Sequence, residues 1–373
     1  MRIVNIGLTQ LPTNKANGVS VTQTCNALVE IGHRCTLIVP RYTNGEVENE
    51  IKSFYNLNDN LDIHQLRIPN IPGRLYLFSL LAAIKAKGMN PDSIFGRNTT
   101  ALYISTLISK IPVAIEIHSA IWTKKRLESL FFKRLIKKIN CIGVFTNSLG
   151  LKKACDLAEI VPSDKEIIVC ENGAKPPIKD LLDQPKNKDL FVGYFGSFVR
   201  GRGANQILEM ARGLPNFTFS IYGVSSKAAL DIGYSDIPNN LHFIGYVPHA
   251  ELPQLRANCD ILLAPYDKEV VTQAGEDTAP YLSPIKIFEY MSANRAIVAT
   301  GLATLKDVLS KDMAILVEPG SSADVWIAAM QRLEGKGVRM QYAEKSYRHF
   351  LENYTWQHRA EKVVSLLSRR FRN

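Results

Sequence analysis

The sequence predicts an α/β protein built from two tandem Rossmann-like, doubly wound domains that face each other across a deep cleft. Three observations support this prediction. Short apolar segments of strand character alternate with helical patterns, which is typical of βαβ units and parallel sheets. At 373 residues the chain is long for one core, and the alternation stops near 171–190 and then restarts. Domains of this kind bind ligands at the carboxyl ends of their strands.

The first run of alternating elements fills 1–173. A strand is predicted at IVNIGL (3–8), followed by a polar loop and a helix near 19–31 that Gly32 closes. Further strands are expected at CTLIVP (35–40), SIFGR (93–97), VAIEIH (113–118) and IGVFTN (142–147).

A polar segment separates the two runs. ENGAKPPIKDLLDQPKNKD (171–189) is rich in Pro, Lys, Asp and Asn and is interpreted as a linker. The alternation restarts at DLFVGYFGS (189–197), and more strands are expected at FTFSIYG, LHFIGYV, DILLAPY, AIVAT and AILVEP. We expect the second domain to span 174–354 and the final helix, within 355–373, to complete the first domain.

Composition restricts the partners and the compartment. The formal net charge of +10 favours an anionic partner such as a nucleotide, a phosphate or an acidic lipid. The six cysteines are scattered without a C-x-x-C pair, and we expect them to be buried and reduced. Because MRIVNIGL enters a strand directly and no apolar run is long enough to span a membrane, we expect a cytoplasmic protein, attached at most to the inner face of a membrane.

Several common catalytic motifs are missing from the sequence. It contains no G-x-G-x-x-G, no G-x-x-x-x-G-K-[ST], no D-x-D and no H-x-x-x-H, and TNSLG (146–150) lacks the first glycine of a nucleophile elbow. These absences argue against NAD chemistry, P-loop hydrolysis, metal catalysis and serine hydrolysis. We therefore expect no cofactor and no metal ion.

The segment SPIKIFEYMSANRAIVAT (283–300) places a cation where a helix favours an anion. Ser283 is predicted to cap a helix with Pro284 at its first position, so Lys286 stands where a capping box has an acid. One interpretation is a surface ion pair between Lys286 and Glu289. The other is a ligand site, in which backbone amides and the ammonium hold a phosphate while Glu289 accepts from neutral hydroxyls.

The segment GSFVRGRGANQIL (196–208) is a second candidate for phosphate binding. Its glycines follow a buried strand and let the backbone approach a ligand, and Arg200 and Arg202 match phosphate oxygens. A flexible solvated turn would have the same composition. The phosphate interpretation is favoured because this segment and Lys286 both follow strands of one predicted sheet.

The first half offers weaker candidates. Gly18, placed just before a helix, lets the helix N-terminus meet an anion closely, or is a plain turn glycine. Glu116 and His118 end the strand VAIEIH, and Arg97 ends SIFGR in a similar way. A histidine at the carboxyl end of a strand can face a cleft, whereas a lone histidine is often structural.

Together these segments resemble the retaining glycosyltransferases of the GT-B class, family four. SPIKIFEYMSANRAIV is similar to the donor-site signature of that family, and GYFGSF with RG four residues on is similar to its phosphate-binding turn. LHFIGYVPHAELPQLRANCDILLAPY (241–266) follows a run typical of the family, while ENGAKPP, EIH and YTWQHRA resemble its interdomain segment, its first-domain histidine and its terminal helix. The resemblance covers nearly the whole chain and is most specific over 241–300.

The resemblance implies a nucleotide-sugar donor site in the second domain. Arg202 and Lys286 would hold the diphosphate and Glu289 would bind the ribose hydroxyls. His118 would lie by the 6-hydroxyl of the transferred sugar. The other donor-site positions on this basis are Gly18, Gly196, Ser197, Gly223, Gly245, Tyr246, Tyr281, Leu282, Ser283, Pro284 and Ile285, with Arg97 and Glu116 on the acceptor side.

The implied reaction moves a sugar from a UDP-, GDP- or ADP-linked donor to a hydroxyl of a glycan or lipid-linked acceptor, with retention and without a metal. Positioned cations would stabilise the leaving diphosphate. Tyr281 departs from the many members that carry a second Glu eight residues before the one matching Glu289. A nucleotide-sugar epimerase or hydrolase and a catalytically silent nucleotide-sugar binding protein are the alternatives.

A basic segment, KKRLESLFFKRLIKK (124–138), holds seven cations and one acid, so +6 of the net +10 falls within it (7 − 1). An apolar stripe at helical spacing runs through it: Leu127, Leu130, Phe131 and Leu135. The segment is therefore either a basic amphipathic helix on an anionic membrane or a domain helix with a solvated basic face. Its position after EIHSAIW favours the membrane and a lipid-linked or cell-envelope glycan acceptor. A nucleic-acid partner is not expected, since no basic groove with interleaved aromatics is visible.

Overall fold

The polypeptide forms two units, each with its own sheet. The first comprises Met1–Gly173 and Trp356–Asn373, and the second comprises Ala174–Thr355. The computed structural model describes residues 1–13, 15–42, 48–124, 126–183, 185, 189–196, 201–234, 236–271 and 277–368.

The first unit contains a seven-stranded parallel sheet. Its strands are β1 (Arg2–Ile6), β2 (Arg34–Arg41), β3 (Asp62–Arg67), β4 (Ser93–Gly96), β5 (Val113–Ile117), β6 (Cys141–Thr146) and β7 (Glu166–Val169). Their spatial order is β3-β2-β1-β4-β5-β6-β7, so the order reverses between β1 and β4. The helices are α1 (Ala16–Glu30), α2 (Glu48–Tyr55), α3 (Arg74–Gly88), α4 (Thr99–Ile108), α5 (Arg126–Leu135) and α6 (Leu149–Leu157).

The second unit repeats the pattern with six parallel strands. They are β8 (Leu190–Phe195), β9 (Phe217–Tyr222), β10 (Leu241–Gly245), β11 (Ile261–Ala264), β12 (Ala296–Thr300) and β13 (Ile315–Val317), in the spatial order β10-β9-β8-β11-β12-β13. The helices are α7 (Ala204–Gly213), α8 (Ser226–Asp231), α9 (Leu252–Ala257), α10 (Ile285–Ser292), α11 (Ala303–Lys306), α12 (Ala323–Gln331) and α13 (Lys336–Asn353). The last helix, α14 (Trp356–Leu367), belongs to the first unit.

Both sheets are covered on both faces, as the apolar strand sequences require. In β8, Val192 and Tyr194 pack into one core of the second unit, and Phe195 packs into the core on the opposite face. All five residues of β5 are buried. A strand buried on both sides is a near-continuous apolar run instead of an alternating one, and β5 departs from this only at Glu116, which is why these strands were predicted correctly.

Two strands of the first unit, β3 and β7, are missing from the sequence prediction. They form the two edges of the sheet. β3 (DIHQLR) is exposed at both ends, and the residues of β7 (EIIV) are half-buried. Edge strands need no continuous apolar run, so they give a weaker sequence signal.

The first helix begins earlier than predicted. The structure starts α1 at Ala16 instead of near 19, so Gly18 lies inside the first turn and not before it. At the other end Gly32 has a φ of +90° immediately after the cap residue Ile31, as expected of a glycine that closes a helix.

The last helix and the predicted linker are each held against one unit. α14 packs against α1, β6 and β7. In the second unit, the buried Arg295 donates to the carbonyl oxygens of Leu181 at 3.2 Å and Asp183 at 2.5 Å. This part of the linker segment is therefore held against the second unit.

Within the described ranges, no helix is long and apolar enough to cross a membrane. The same ranges contain no cluster of His, Cys, Asp and Glu side chains that could hold a metal ion. All six cysteines are buried and unpaired, as the sequence predicted.

Candidate functional site

The order of strands in the second sheet reverses between β8 and β11. The chain leaves β8 toward α7 and reaches α10 from β11 through a loop, so the two connections diverge at the carboxyl edge of the sheet. Such a switch point forms a crevice in doubly wound sheets. Those predicted donor-site residues of this unit that the structure describes lie in these connections, in α10 or at the ends of β9 and β10.

Three predicted glycines line this edge. The amide of Gly196, after β8, donates to the Tyr222 carbonyl at 2.9 Å, and the amide of Gly223 donates to the Gly245 carbonyl at 2.7 Å. A Cβ added at Gly196 would lie 3.0 Å from Nζ of Lys286. The absence of a side chain at Gly196 therefore leaves room for the ammonium of Lys286.

The turn between β8 and α7 depends on Gly203. This residue caps α7 with a φ of +76°, and a Cβ on it would overlap the carbonyl oxygen of Pro265, just after β11. The glycine thus brings the turn, with Arg202, against the neighbouring strand end. Ser197 and Arg200, predicted in the same turn, lie outside the described residues.

Lys286 lies against two tyrosine rings. Its Nζ is 3.9 Å from the ring centroid of Tyr194 and 5.4 Å from that of Tyr266. Burial, together with the nearby positive charge of Arg202, holds the pKa of Lys286 well below its usual range. The ring faces attract the ammonium but do not neutralise it, so an anion entering the site would raise this pKa again.

Arg202 approaches the same place. Its Cζ is 5.2 Å from the ring centroid of Tyr266. The buried Nε of Arg202 has no hydrogen-bond acceptor among the described residues, and an unmatched buried donor is unfavourable. No described residue forms an ion pair with Arg202 or Lys286. Two cations therefore converge on a space in which a phosphate would satisfy both.

Helix α10 begins one residue later than predicted. Pro284 is the N-cap, with an extended ψ of 120°, and Ile285 is the first helical residue. The predictions that Ser283 caps the helix and that Pro284 opens it are therefore wrong, because a residue with this ψ is not helical. The amides of Ile285 and Lys286 have no acceptor within the helix, so the positive end of α10 is available to an anion.

The chain approaches α10 through an irregular segment. Ala279–Tyr281 forms a 3-10 turn, and Leu282 is extended with φ −62° and ψ 128°. From Tyr281 to Pro284 the residues are half-buried. Tyr246 follows the end of β10 and is 59% exposed.

Glu289 is paired with a cation other than Lys286. Its Oε2 accepts from Nη1 of Arg256 at 3.2 Å, and its Oε1 lies 3.7 Å from Nε2 of His249. The interpretation of a Lys286–Glu289 ion pair is wrong, because Lys286 turns toward the tyrosine rings. The interpretation of an unpaired Glu289 also needs correction, since Arg256 occupies one carboxylate oxygen.

The second oxygen of Glu289 remains the better acceptor for a ligand hydroxyl. Burial lowers the pKa of His249, and the charges of Arg256 and Lys175 lower it further against the opposing effect of Glu289. His249 is therefore neutral near pH 7, so Oε1 faces an imidazole and not a second full positive charge. Arg256 is 4% exposed and holds the Glu289 carboxylate through its other oxygen, Oε2.

The sequence analysis missed four residues of this site: Tyr194, His249, Arg256 and Tyr266. Tyr194 is the residue before the end of β8 and Tyr266 follows the end of β11 by two residues, and core packing explains the apolar character of both segments. Arg256 does carry a signal, because it stands four residues after Leu252 on the apolar side of α9. A cation at such a position predicts a buried carboxylate partner, although not which one.

The first unit contains a separate charged cluster centred on Glu116, which is 4% exposed. Its Oε1 accepts from Nη2 of Arg97 at 2.8 Å and from Nη2 of Arg359 at 2.6 Å, and lies 2.5 Å from Nε2 of His118. Burial alone would raise the pKa of Glu116, but Arg359 and Arg97 hold it well below its usual range. The carboxylate is therefore charged and internally satisfied.

Arg359 was not singled out in the sequence, where YTWQHRA is identified merely as the terminal helix. The side chain is 2% exposed, and its Nε donates to Oγ1 of Thr24 at 2.8 Å. Its Nη1 donates to the carbonyl oxygens of Cys170 and Glu171. Arg359 thus joins α14 to α1, β5 and the end of β7.

His118 and Gly18 differ in how well the structure suits their predicted roles. Burial and the charge of Arg97 lower the pKa of His118 to about 4, so its partly exposed imidazole is neutral at pH 7. A Cβ at Gly18 would lie 2.5 Å from Cγ2 of Thr13 and 2.6 Å from Oη of Tyr55. The close approach that requires glycine at this position is therefore made by the protein itself.

Comparisons with known proteins give a family-model match for part of the chain and a shared fold for the whole of it. The model of a family described as "Glycosyl transferase-like" matches residues 200–365, which cover most of the second unit and the greater part of α14. No curated protein matches the sequence.

Several solved structures share the fold over the whole chain. Sucrose-phosphate synthase from Thermosynechococcus elongatus has a TM-score of 0.75 at 15% identity, covering 100% of this chain and 99% of that one. A glycosyltransferase from Rickettsia africae has a TM-score of 0.75 at 13% identity, with the same coverage. Anabaena HepE in complex with UDP-glucose has a TM-score of 0.71 at 16% identity, covering 98% and 99%.

Identities of this size establish the fold alone. The predicted fold class, two doubly wound α/β domains of the GT-B kind, is confirmed. The chain resembles glycosyltransferases both in this fold and in the family model that matches its second unit.

Proposed function

We propose that the protein is a retaining, metal-independent glycosyltransferase of family four that moves a sugar from a nucleotide-sugar donor to a hydroxyl of a glycan or lipid-linked acceptor. One observation carries the proposal. Lys286 and Arg202 converge at the switch point beside the N-terminus of α10, and neither forms an ion pair with a described residue. A diphosphate matches this arrangement of two cations and free amides.

The same arrangement supplies a mechanism. Breaking the bond between sugar and diphosphate builds negative charge on the leaving oxygen. Positioned cations stabilise that charge most in the transition state, because they require no reorganisation as it develops. Lys286 and Arg202 would carry this role without a divalent ion, and the acceptor hydroxyl would attack from the face that the nucleotide leaves.

The flanking residues would orient the donor. Oε1 of Glu289 would accept from a ribose hydroxyl while Arg256 holds the other oxygen. Gly245 and Tyr246 would line the base pocket, and the backbone from Tyr281 to Ile285 would approach the transferred sugar. By the family resemblance, His118 with its neutral imidazole would be the residue that recognises the sugar 6-hydroxyl.

The donor base is proposed from the relatives. The HepE structures contain UDP and UDP-glucose, so UDP is the first candidate, ahead of GDP and ADP. For the acceptor we propose a lipid-linked or cell-envelope glycan, and for the enzyme a location in the cytoplasm at the inner face of a membrane.

A thermal-shift screen against UDP, GDP and ADP tests the donor site. We expect one nucleotide to raise the melting temperature of the wild type. Lys286→Met should lower the affinity for that nucleotide roughly 10- to 100-fold, which is the effect of losing one charge-assisted contact. Lys227→Met, an exposed lysine of the same unit, is the control and should bind as the wild type does.

Incubation with the matching nucleotide sugars and acceptor lipids tests the reaction. Formation of a glycoside with the donor anomeric configuration, read by NMR, is expected. Turnover of the donor without an acceptor would indicate a hydrolase or epimerase instead. Binding without turnover in both the wild type and Glu289→Ala would contradict the proposal.

A further inference from the structure

Helix α3 exposes an apolar surface that the sequence analysis did not identify. Tyr76, Leu80 and Ile84 recur every four residues and are 49%, 43% and 52% exposed. Leu75 and Leu81, exposed by 51% and 38%, widen this surface. The buried side of the same helix is formed by Phe78, Ser79, Ala82, Ala83 and Ala86, so α3 has a core face and a second, solvent-facing apolar face.

The surface continues along the helix layer. α3 packs against α4, and α4 packs against α5. Leu107 on α4 is 54% exposed, and Leu127 and Leu130 on α5 are 51% and 38% exposed. Exposed apolar side chains grouped on three helices that pack side by side are typical of an interaction site.

This finding corrects the predicted stripe of α5. Leu135 is buried, and the helix turns Phe132 and Leu135 into the core. Phe131 stacks on Tyr103 of α4 with ring centroids 5.5 Å apart. Leu127 and Leu130 stay outside, so α5 is at once a domain helix and a contributor to the exposed surface.

Positive charge is concentrated in the same part of the chain. Residues 69–140 contain twelve Lys and Arg and three acids, so they carry +9 of the net +10 (12 − 3). Glu116 and Arg97 pair with each other in the charged cluster of the first unit, so the remaining eleven cations and two acids carry the same net charge of +9 (11 − 2). Exposed Lys133, Arg134 and Lys137 form no ion pair with any described residue. Lys85 and Lys87 stand in the last turn of α3, next to its apolar face.

We propose that the exposed face of α3, extended by Leu107, Leu127 and Leu130, docks on the surface of an anionic lipid bilayer. Leucine, isoleucine and tyrosine side chains enter the boundary between headgroups and acyl chains, while the lysines and arginines contact the lipid phosphates. The stems of Lys85 and Lys87 can lie along the apolar surface with their ammonium groups at the headgroups.

The charge distribution favours a bilayer over a second copy of the chain. A symmetric dimer through this face would set the cations of one copy against those of the other, because such an interface is formed by the same patch twice. A lipid surface with negative headgroups has the opposite charge and an apolar interior. The inference is independent of sugar transfer, since it concerns a different surface and requires no donor.

Sedimentation with vesicles tests the proposal on the full chain. Wild type should bind vesicles of equal parts phosphatidylcholine and phosphatidylglycerol, and bind pure phosphatidylcholine at least about tenfold more weakly. The double variant L80E/I84E should lose at least about tenfold in partitioning to the mixed vesicles. Leu157→Glu, which changes an 89% exposed leucine elsewhere in the first unit, should bind as the wild type does.

A second pair of variants separates specific docking from general charge attraction. K133E/R134E/K137E and K227E/K311E/K336E change the net charge equally, because each set replaces three cations by glutamates. All six residues are exposed, so neither set disturbs the core. The first set should weaken vesicle binding at least about tenfold and the second should not. Equal losses in both sets, unchanged binding of L80E/I84E, or dimerisation through this face without vesicle binding would overturn the proposal.

A fluorescence measurement reports insertion directly. Leu80→Trp should shift its emission to the blue on mixed vesicles and be quenched by lipids brominated in the acyl chains, whereas Leu157→Trp should show neither effect. An unshifted Leu80→Trp on bound protein would show attachment through another surface. If L80E/I84E loses vesicle binding but still transfers sugar to a soluble acceptor, the docking proposal is supported separately from the proposed reaction. If wild type binds vesicles but transfers no sugar, only the proposed reaction fails.

Discussion

At the scale of single residues, the candidate donor site is defined by how two cations are surrounded. Lys286 is placed against the rings of Tyr194 and Tyr266, and the space for its ammonium exists because position 196 is glycine. Arg202 shares that space. Burial of the ammonium and, next to it, the like charge of Arg202 disfavour the charged form, and both lower the pKa of Lys286. The arrangement becomes favourable when an anion binds.

Binding of a nucleotide sugar should therefore be coupled to proton uptake by Lys286. The pKa of Lys286 is depressed in the free protein and rises next to a diphosphate, so above the free pKa the bound protein holds more protons. The affinity should fall as pH rises through this interval. Calorimetric titrations in two buffers of different ionisation enthalpy measure the uptake, and it should disappear in Lys286→Met. Equal uptake in that variant would assign the proton to another group.

At the scale of secondary-structure elements, the site depends on how α7 and α10 begin. α7 follows β8 and α10 follows β11, the two strands on either side of the switch point. The turn before α7 touches the chain just after β11 through Gly203 and Pro265. The position of Arg202 follows from this contact, because it immediately precedes Gly203.

Gly203→Ala should be much more destabilising than Gly233→Ala. Both glycines have positive φ, +76° and +99°, but a Cβ at Gly203 overlaps the Pro265 carbonyl while nothing lies within 4 Å of one at Gly233. The left-handed conformation alone costs about 1–2 kcal/mol, and overpacking adds about 1–3 kcal/mol. Urea unfolding of the two variants measures the difference. Equal losses would show that the turn relaxes without strain.

At the scale of the whole molecule, the chain returns to its first unit after completing the second. α14 packs on the first sheet, and Arg359 on this helix reaches Glu116 on β5, 243 residues earlier in the sequence. Both side chains are buried, so the pair has no water to replace a lost partner. The first unit therefore depends on the last helix electrostatically as well as through packing.

Arg359→Met should destabilise the first unit by about 3–5 kcal/mol, the cost of leaving a buried charge with too few partners. Lys362 is on the same helix as Arg359, and Lys362→Met removes its more exposed ion pair with Glu171. This change should cost about 0–1 kcal/mol. Chemical unfolding followed by limited proteolysis of each unit measures both changes. Similar small effects would mean that Arg97 alone suffices for Glu116.

The same pair predicts a pH dependence. The pKa of Glu116 is depressed in the folded protein, so its contribution to stability is complete above the ordinary pKa of a glutamate and is lost as pH falls toward the folded value. Removing Arg359 raises that pKa. The stability of Arg359→Met should therefore decline less steeply than that of the wild type on acidification.

Much of the fold and part of the site could be predicted from the sequence. Strands buried on both faces are near-continuous apolar runs, as in β8 and, apart from Glu116, in β5, and this local signal identified both sheets. The edge strands β3 and β7 lacked that signal. The convergence of Arg202 with Lys286 was predictable, because both follow strands of one parallel sheet whose carboxyl ends meet.

The sequence by itself determined the α/β class, the restart of the pattern near 189 and the cations at the switch point, because these depend on local periodicity and on the edge at which parallel strands end. The tertiary structure decided which charges pair. Glu289 is held by Arg256 instead of Lys286, Glu116 is held by Arg359, and α3 remains uncovered on one face. These outcomes depend on the direction of side chains and on contacts between distant segments, which local patterns do not encode.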